Sequence, residues 1–178
     1  DVELECGRSL LLEAGGAVDY LLHFPYGCLE QTTSAMIPWL AVDALRPVVP
    51  RFAGVPNDRV QQALRTGVER LLAMQRPDGG FSYWPDGTER VDWATSYGGL
   101  GLVLARKAVA DVPAAAVDAL CADLSNSLRG LAEAAGSQAL EDAARALWVL
   151  ALAGQPQEAY RNQLVERVAE LDRANRCL

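Results

Sequence analysis

The chain has 178 residues, with 23 acidic against 16 basic side chains, a net charge of −7 and 51% hydrophobic residues. A domain usually has roughly 100–200 residues, so this length predicts one compact domain with a sizeable core. The acidic balance and the lack of a basic stripe argue against nucleic-acid binding, and no apolar run approaches the roughly 20 residues that a membrane span needs.

The two ends of the sequence suggest a piece of a longer protein. The chain opens at Asp1 without an initiator Met or the basic start of a signal peptide, and it ends at Leu178 without a stop signal. The alternating residues 2–5 resemble the end of a β-strand. We therefore expect residues 1–8 to be a linker or the tail of a preceding domain, and residues 9–178 to form the domain itself.

Amphipathic periodicity runs through nearly the whole chain. The helices that it predicts span residues 9–23, 29–45, 57–75, 95–110, 113–129, 138–153 and 157–174. Pro38 interrupts the second of these and should kink it, whereas Gly67 in the third should let a neighbour approach closely. Short loops between such helices imply antiparallel hairpins, hence a layered all-α fold.

The cysteines give no metal site. Cys6, Cys28, Cys121 and Cys177 form no CxxC pair, and His23 is the only histidine, so we expect neither a zinc ion nor another cofactor. Cys121 falls on an apolar helical stripe and should be buried. Cys6 and Cys177 lie near opposite ends and could pair in an oxidising compartment, which the sequence leaves open.

The reactive candidate is the pair Cys28 and Gln31, three residues apart at the predicted start of a helix. A cysteine thiol at that spacing can attack the glutamine carboxamide, expel ammonia and close a thiolactone ring. Gly27 supplies backbone freedom for the tight turn, and Pro25 pre-sets the approach. The product would acylate a nucleophile from another molecule. Alone, however, a C-x-x-Q tetrapeptide is common by chance, and Cys28 could be a plain structural residue.

The longer sequence around Cys28 and Gln31 favours a reactive pair over a plain structural cysteine. Residues 25–34 (Pro-Tyr-Gly-Cys-Leu-Glu-Gln-Thr-Thr-Ser) closely resemble the thioester segment of bacterial α2-macroglobulins, which is similar to the Gly-Cys-Gly-Glu-Gln segment of animal α2-macroglobulin and complement proteins. The resemblance continues in order through residues 71–75, 78–85 and 93–97. Leu29 replaces the animal glycine, a change that the bacterial branch accepts.

The resemblance implies a fold and a site. The fold would be an α/α toroid, here an incomplete ring of about seven helices. Cys28 would supply the thiol and Gln31 the acyl carbon of the thioester, with Gly27, Glu30 and Tyr26 in support. Glu30 matches the family's acidic position, and Tyr26 is a candidate shield. Further aromatic lining could come from Phe24, Trp39, Trp84 and Trp93.

The resemblance also implies a partner class and a compartment. Residues 81–93 contain no histidine, the residue that hydroxyl-selective complement proteins use there, so we expect direct attack by amines such as lysine side chains. The domain would be a single-use covalent trap for proteases, without enzymatic turnover, working with other domains of the same polypeptide. The protein would be periplasmic and anchored to the inner membrane through a part of the chain not present here.

Two other interpretations account for part of the sequence. Residues 74–81 also resemble the Q-x-x-D-G-G-[FW] repeats of terpene cyclases, but the chain has neither the D-x-D-D nor the D-D-x-x-D motif of those enzymes. Alternatively, the chain is a helical interaction domain in which Cys28 stays a free thiol. The intact pair Cys28 and Gln31 favours the thioester.

Overall fold

The computed structural model describes residues 27–47, 50–108, 111–134 and 136–171. Its α-helices are α1 (Leu29–Leu40), α2 (Val42–Leu45), α3 (Pro50–Ala53), α4 (Asn57–Met74), α5 (Asp92–Ala108), α6 (Ala114–Ser127), α7 (Ser137–Leu152) and α8 (Glu158–Glu166). Two 3-10 segments, Leu128–Glu133 and Val168–Glu170, follow α6 and α8. The predicted tail at residues 1–8 and the predicted helix at residues 9–23 lie outside the described residues.

The helices alternate between two layers. In one layer α1, α5 and α7 contact each other in succession. In the other, α4 packs against both α1 and α5, and α6 packs against both α5 and α7. This alternation of helical hairpins is the arrangement of an α/α toroid. No strand occurs in the described ranges, which contain one isolated β-bridge between Gln75 and Phe81. The predicted all-α fold class is confirmed.

Agreement between predicted and observed helix boundaries varies along the chain. The helix predicted at residues 157–174 is wrong at its end, because α8 stops at Glu166 and a 3-10 segment follows it. The predicted helix at residues 57–75 is α4, Asn57–Met74. The predicted helix at residues 29–45 is instead divided, because α1 ends two residues after Pro38 and α2 begins at Val42. Pro38 itself lies inside α1, and the interruption falls three residues later at Ala41, whose φ and ψ of −97° and 3° depart from helical values.

Small residues bring α1 close to its two neighbours. A Cβ atom on Gly98 of α5 would lie 2.9 Å from Cδ1 of Leu29, and one on Gly67 of α4 would lie 2.3 Å from Cγ of Met36. Real Cβ atoms do not approach other atoms so closely, so a larger residue at either position would force the Leu29 or Met36 side chain to shift. Close approach at Gly67 had been predicted from the sequence. The start of α1 is thereby seated directly on α5.

A small second core surrounds the end of α1. Trp39 packs there with its ring centroid 6.1 Å from that of Phe52, beside the buried Val42, Val60 and Leu64. Trp39 also lines a small cleft between α1 and α4 that Gln31 borders. At 1.5 Å per residue it lies roughly 16 Å along the helix axis from Cys28, so its expected place in the lining of the reactive pair stays a prediction. Among the described helices, none is long and apolar enough to cross a membrane.

Candidate functional site

Cys28 and Gln31 face each other across the first turn of α1. Cys28 is the N-cap residue, and its side chain is only 2% exposed. The backbone N–H of Cys28 donates to Oε1 of Gln31 over a long 3.4 Å, and the Cys28 side chain is opposite the backbone N–H of Gln31. This is the reciprocal geometry of a capping box, in which the first and fourth residues fold back on each other. It brings the side chains of the buried Cys28 and the half-buried Gln31 together at the start of the helix.

Tyr83 meets the start of α1 with both its backbone and its side chain. Its carbonyl accepts a hydrogen bond from the N–H of Leu29 at 3.0 Å, and its hydroxyl donates to Oε2 of Glu30 at 2.9 Å. The first N–H groups of a helix have no partner within the helix, so the loop that carries Tyr83 supplies one. Sequence reasoning missed Tyr83 as a site residue, although it lies in the family block at residues 78–85.

The loop that carries Tyr83 is fixed by contacts within the fold. The Gln75 side chain donates to the carbonyl of Gly79 at 3.1 Å, and the N–H of Phe81 donates to Oγ1 of Thr95 at 3.0 Å. Gly79 has φ +94°, and a Cβ there would lie 2.1 Å from the backbone oxygen of Ala119. The Gln75–Phe81 stretch, which resembles the cyclase repeats, thus holds the loop that carries Tyr83 in position against α1.

The neighbours of Tyr83 keep its phenol protonated. Hydrogen bonding with the Cys28 side chain, hydrogen bonding with Glu30 and burial together raise the pKa of Tyr83 well above its ordinary value of 10.0. These hydrogen bonds favour the neutral phenol, and an ionised oxygen would also be repelled by the Glu30 carboxylate. Tyr83 is therefore available as a hydrogen-bond donor throughout the physiological pH range.

Two tryptophans flank the Tyr83 ring. Its centroid lies 5.9 Å from that of Trp93 and 5.8 Å from that of Trp84, both in edge-on contact. Trp93 is partly buried, whereas Trp84 is 52% exposed. The sequence suggested both tryptophans as aromatic lining near Cys28 and Gln31. Both contact the ring of Tyr83, which in turn contacts Leu29 and Glu30 at the start of α1.

Two threonine hydroxyls next to Gln31 are buried without a hydrogen-bond partner in the described part of the chain. They belong to Thr32 and Thr33. Thr32 borders a cleft of about 80 Å³ between α1 and α4 that Gln31 and Arg70 also line. Sequence reasoning had taken both threonines simply as good residues for a helix start.

A larger cleft lies away from this pair. It has a volume of about 530 Å³ and opens between α5, α6 and α7, where Arg90 and Asp142 contribute charged groups. Neither Cys28 nor Gln31 lines it. The volume of a cleft therefore does not identify the position of Cys28 and Gln31 in this fold.

Several predicted residues cannot be placed. Tyr26, Phe24 and His23 lie outside the described residues, as do Cys6 and Cys177 with their possible disulfide. Gly27 is half-buried, and a Cβ built on it meets nothing within 4 Å. Within the described ranges no group of three or more histidine, cysteine, aspartate or glutamate side chains could hold a metal ion.

Comparison with known proteins identifies the family. Residues 6–165 match the family described as the A-macroglobulin TED domain. The chain belongs to that family. Among curated relatives, the alpha-2-macroglobulin of Escherichia coli K12 is 36% identical over 74 residues, which cover 42% of this chain and 4% of that protein. The TED domain thus spans a small part of the relative that it matches.

Solved structures of bacterial alpha-2-macroglobulins share the fold of this TED domain. Native Escherichia coli alpha-2-macroglobulin, from domain MG7 to the C-terminus, superposes with a TM-score of 0.75 at 25% identity, covering 90% of this chain and 26% of that one. Salmonella alpha-2-macroglobulin reacted with methylamine gives 0.74 at 25% identity, covering 90% and 11%. These matches confirm the α/α toroid and the resemblance to bacterial α2-macroglobulins.

Proposed function

We propose that Cys28 and Gln31 of this TED domain close an internal thioester that acylates amines. The sulfur of Cys28 attacks the carboxamide carbon of Gln31, and ammonia leaves. The observation that carries the proposal is the folded-back first turn of α1, in which a 2%-exposed cysteine and the glutamine face each other. Burial matters because water would hydrolyse an exposed thioester before a target arrived.

Opening the ring consumes the site. An amine attacks the carbonyl carbon of residue 31, an amide forms, and Cys28 is released as a free thiol. Nothing in this sequence of steps regenerates the thioester, so the domain acts once and without turnover. Direct attack by lysine amines is supported by the loop between Phe81 and Trp93, which has no histidine to pass the acyl group to an alcohol.

The wider setting of the proposal rests on the family. We infer that the covalent targets are proteases, that other domains of the same polypeptide deliver them, and that residues 9–178 form the thioester domain with Gly27, Glu30 and Tyr26 in support. We likewise place the protein in the periplasm, anchored to the inner membrane through another part of its chain. Support comes from the bacterial alpha-2-macroglobulins that match this domain.

Intact mass tests the proposal directly. A closed ring weighs about 17 Da less than the encoded chain, the mass of one ammonia. We expect that deficit in the protein as it is encoded. Methylamine should then add one equivalent and release one thiol, which alkylation and peptide mapping should assign to Cys28.

Two cysteine variants distinguish loss of the thioester from loss of stability caused by removing any buried thiol. Cys28→Ala should abolish both the mass deficit and methylamine uptake. Cys121→Ala also removes a buried thiol, but from α6, and should keep both. If the wild-type mass equals the encoded mass and nothing adds, the thioester is disproved and the domain works as a helical interaction module with a free Cys28.

A further inference from the structure

The small cleft between α1 and α4 lies beside the acyl residue of the proposed thioester. Gln31 is half-buried and borders this cleft, whereas Cys28 is 2% exposed and is not among the residues that line it. The larger cleft of about 530 Å³ has neither residue on its walls. The small cleft therefore offers a second molecule a path to the carbon of residue 31 that does not pass the buried sulfur.

The small cleft runs lengthwise between two antiparallel helices. Gly67 of α4 lies against Met36 of α1, and Arg59, which precedes Gly67, lies over the ring of Trp39 with its Cζ 6.0 Å from the centroid. The residues of α1 that line the cleft extend from Gln31 to Trp39, a distance of about 12 Å at the helical rise. The cleft is thus an elongated space with the acyl residue at one end.

Small side chains line both sides of this cleft. Ala35 contributes from α1, and Ala63 and Thr66 contribute from α4. The volume is about 80 Å³, and one water molecule needs about 10–15 Å³ of cavity, so a short alkyl chain fits. Because Gly67 brings the two helices close together, the space admits an unbranched chain more easily than a branched one.

Thr32 supplies an unused polar group next to Gln31. It borders the cleft and is 4% exposed, and its hydroxyl has no hydrogen-bond partner among the described residues. A buried hydroxyl without a partner is unfavourable, and its oxygen can accept a hydrogen bond from an N–H group. An amine that entered the cleft would therefore satisfy a group that the folded chain leaves unpaired.

The charge along the cleft suits a neutral amine. Of the described residues that line it, Arg70 is charged and exposed, and none is acidic. A carboxylate in this place would bind the protonated amine, which has no lone pair with which to attack. A nearby cation instead favours the unprotonated form of an amine, which is the nucleophile.

We propose that this cleft admits the attacking amine and selects primary amines on unbranched chains, with the Thr32 hydroxyl accepting a hydrogen bond from the nitrogen. The inference rests on the proposed function, because an amine reacts here only if Cys28 and Gln31 close the ring. The occupant is the end of a lysine side chain, with its nitrogen at residue 31 and its methylene groups between Ala35 and Thr66.

The covalent step itself needs no group beyond the ring, the amine and water. The nitrogen bonds to the carbonyl carbon of residue 31, and the bond from that carbon to sulfur breaks with its electron pair staying on sulfur. Water takes the proton that the nitrogen loses and supplies one to the sulfur. The products are an amide and the Cys28 thiol.

The first test compares n-butylamine, which has the chain of a lysine side chain, with methylamine. Rates are followed by intact mass on the protein as it is encoded and are expressed per closed ring. Ala35→Leu fills the cleft from α1 and Thr66→Leu fills it from α4, and each should lower the ratio of the n-butylamine rate to the methylamine rate about tenfold. Ala139→Leu is the matched control, because it adds the same side chain to the larger cleft and should leave the ratio unchanged.

The second test removes the Thr32 hydroxyl. Thr32→Val has the same shape and should react with methylamine roughly 2- to 10-fold more slowly, because the nitrogen loses its acceptor. The same variant should unfold at no lower urea concentration than the wild type, since the hydroxyl that it removes is unpaired. Thr32→Ser keeps a hydroxyl and should restore most of the rate.

The outcomes distinguish this inference from the proposed function. If the wild type shows the mass deficit but both leucine variants keep the wild-type ratio of rates, entry through the cleft is overturned and the thioester stands. If neither leucine variant closes the ring, the Thr32 variants decide, and wild-type rates for both Val and Ser overturn the inference. Absence of the deficit in the wild type overturns it together with the thioester.

Discussion

The hydroxyl of Thr95 accepts a hydrogen bond from the N–H of Phe81 at 3.0 Å and so ties α5 to the loop that carries Tyr83. The same oxygen donates to the carbonyl of Val91 at 2.9 Å, so Thr95 is fully satisfied. Thr33 on α1 is equally buried, both residues being 0% exposed, yet its hydroxyl has no partner among the described residues. The Thr95 hydroxyl therefore stabilises the folded state, whereas burial of the unpaired Thr33 hydroxyl costs free energy.

We expect opposite results from replacing each of these threonines with valine, which has the same shape. Thr95→Val should lower the free energy of unfolding by about 1–3 kcal/mol, because the N–H of Phe81 loses its acceptor. Thr33→Val should be neutral or stabilising by about 1 kcal/mol, because it removes an unpaired buried hydroxyl. Urea unfolding measures both, and equal losses would contradict this assignment of partners.

Gly79 should tolerate substitution much less than Gly154. Both have positive φ, +94° and +81°, but a Cβ on Gly79 collides with backbone of α6 whereas one on Gly154 meets nothing within 4 Å. We expect Gly154→Ala to cost about 1–2 kcal/mol, the usual strain of a left-handed residue. Gly79→Ala should cost at least about 3 kcal/mol and lower the fraction of closed thioester, because the Tyr83 loop must move. Thermal unfolding and intact mass provide the two measurements, and similar losses in both variants would refute the clash.

The raised pKa of Tyr83 predicts a loss of stability in strongly alkaline solution. Below about pH 10, the ordinary tyrosine pKa, Tyr83 is protonated in both states and its neutral-form contacts contribute fully. Above that pH the unfolded chain ionises while folded Tyr83 stays neutral, so stability falls as pH rises toward the folded pKa. Tyr83→Phe should show a shallower fall. Unfolding measured between pH 8 and pH 11 checks the sign, and parallel curves for the two proteins would disprove it.

The buried Cys121 should stay unreactive whether the thioester is open or closed. It is 1% exposed on α6, and burial, reinforced by nearby Asp118, raises the pKa of its thiol. Only the thiolate is an effective nucleophile, so native alkylation near neutral pH should miss Cys121. It should react once the chain is denatured. Peptide mapping after iodoacetamide, with and without methylamine, identifies each labelled cysteine, and native labelling of Cys121 would contradict its burial.

Local sequence pattern predicted much of the fold and the positions of Cys28 and Gln31 at a helix start. The apolar stripe at residues 57–75 gave α4 to within a residue, because a helix on a core repeats its buried face every three to four positions. The same geometry places Cys28 and Gln31 on one turn. Cys121 was correctly expected to be buried, since it continues such a stripe.

Long-range relationships could not be predicted in this way. Tyr83 lies 53 residues from Glu30 along the chain, and only the packing of a whole hairpin brings their side chains together. The position of Trp39 likewise depends on packing: about three helical turns separate it from Cys28, yet it lines the same cleft as Gln31 because α4 packs along that side of α1.

The absence of a side chain at Gly98 has a mechanical consequence. With the Leu29 side chain packed against the backbone of α5 at Gly98, only one layer of side chain separates the start of α1 from α5. Cys28 and Gln31 should therefore travel with α5 as part of one stiff body. Their exposure to an attacking amine would then be controlled by whatever covers this end of the domain, since the turn that holds them has little room to change shape.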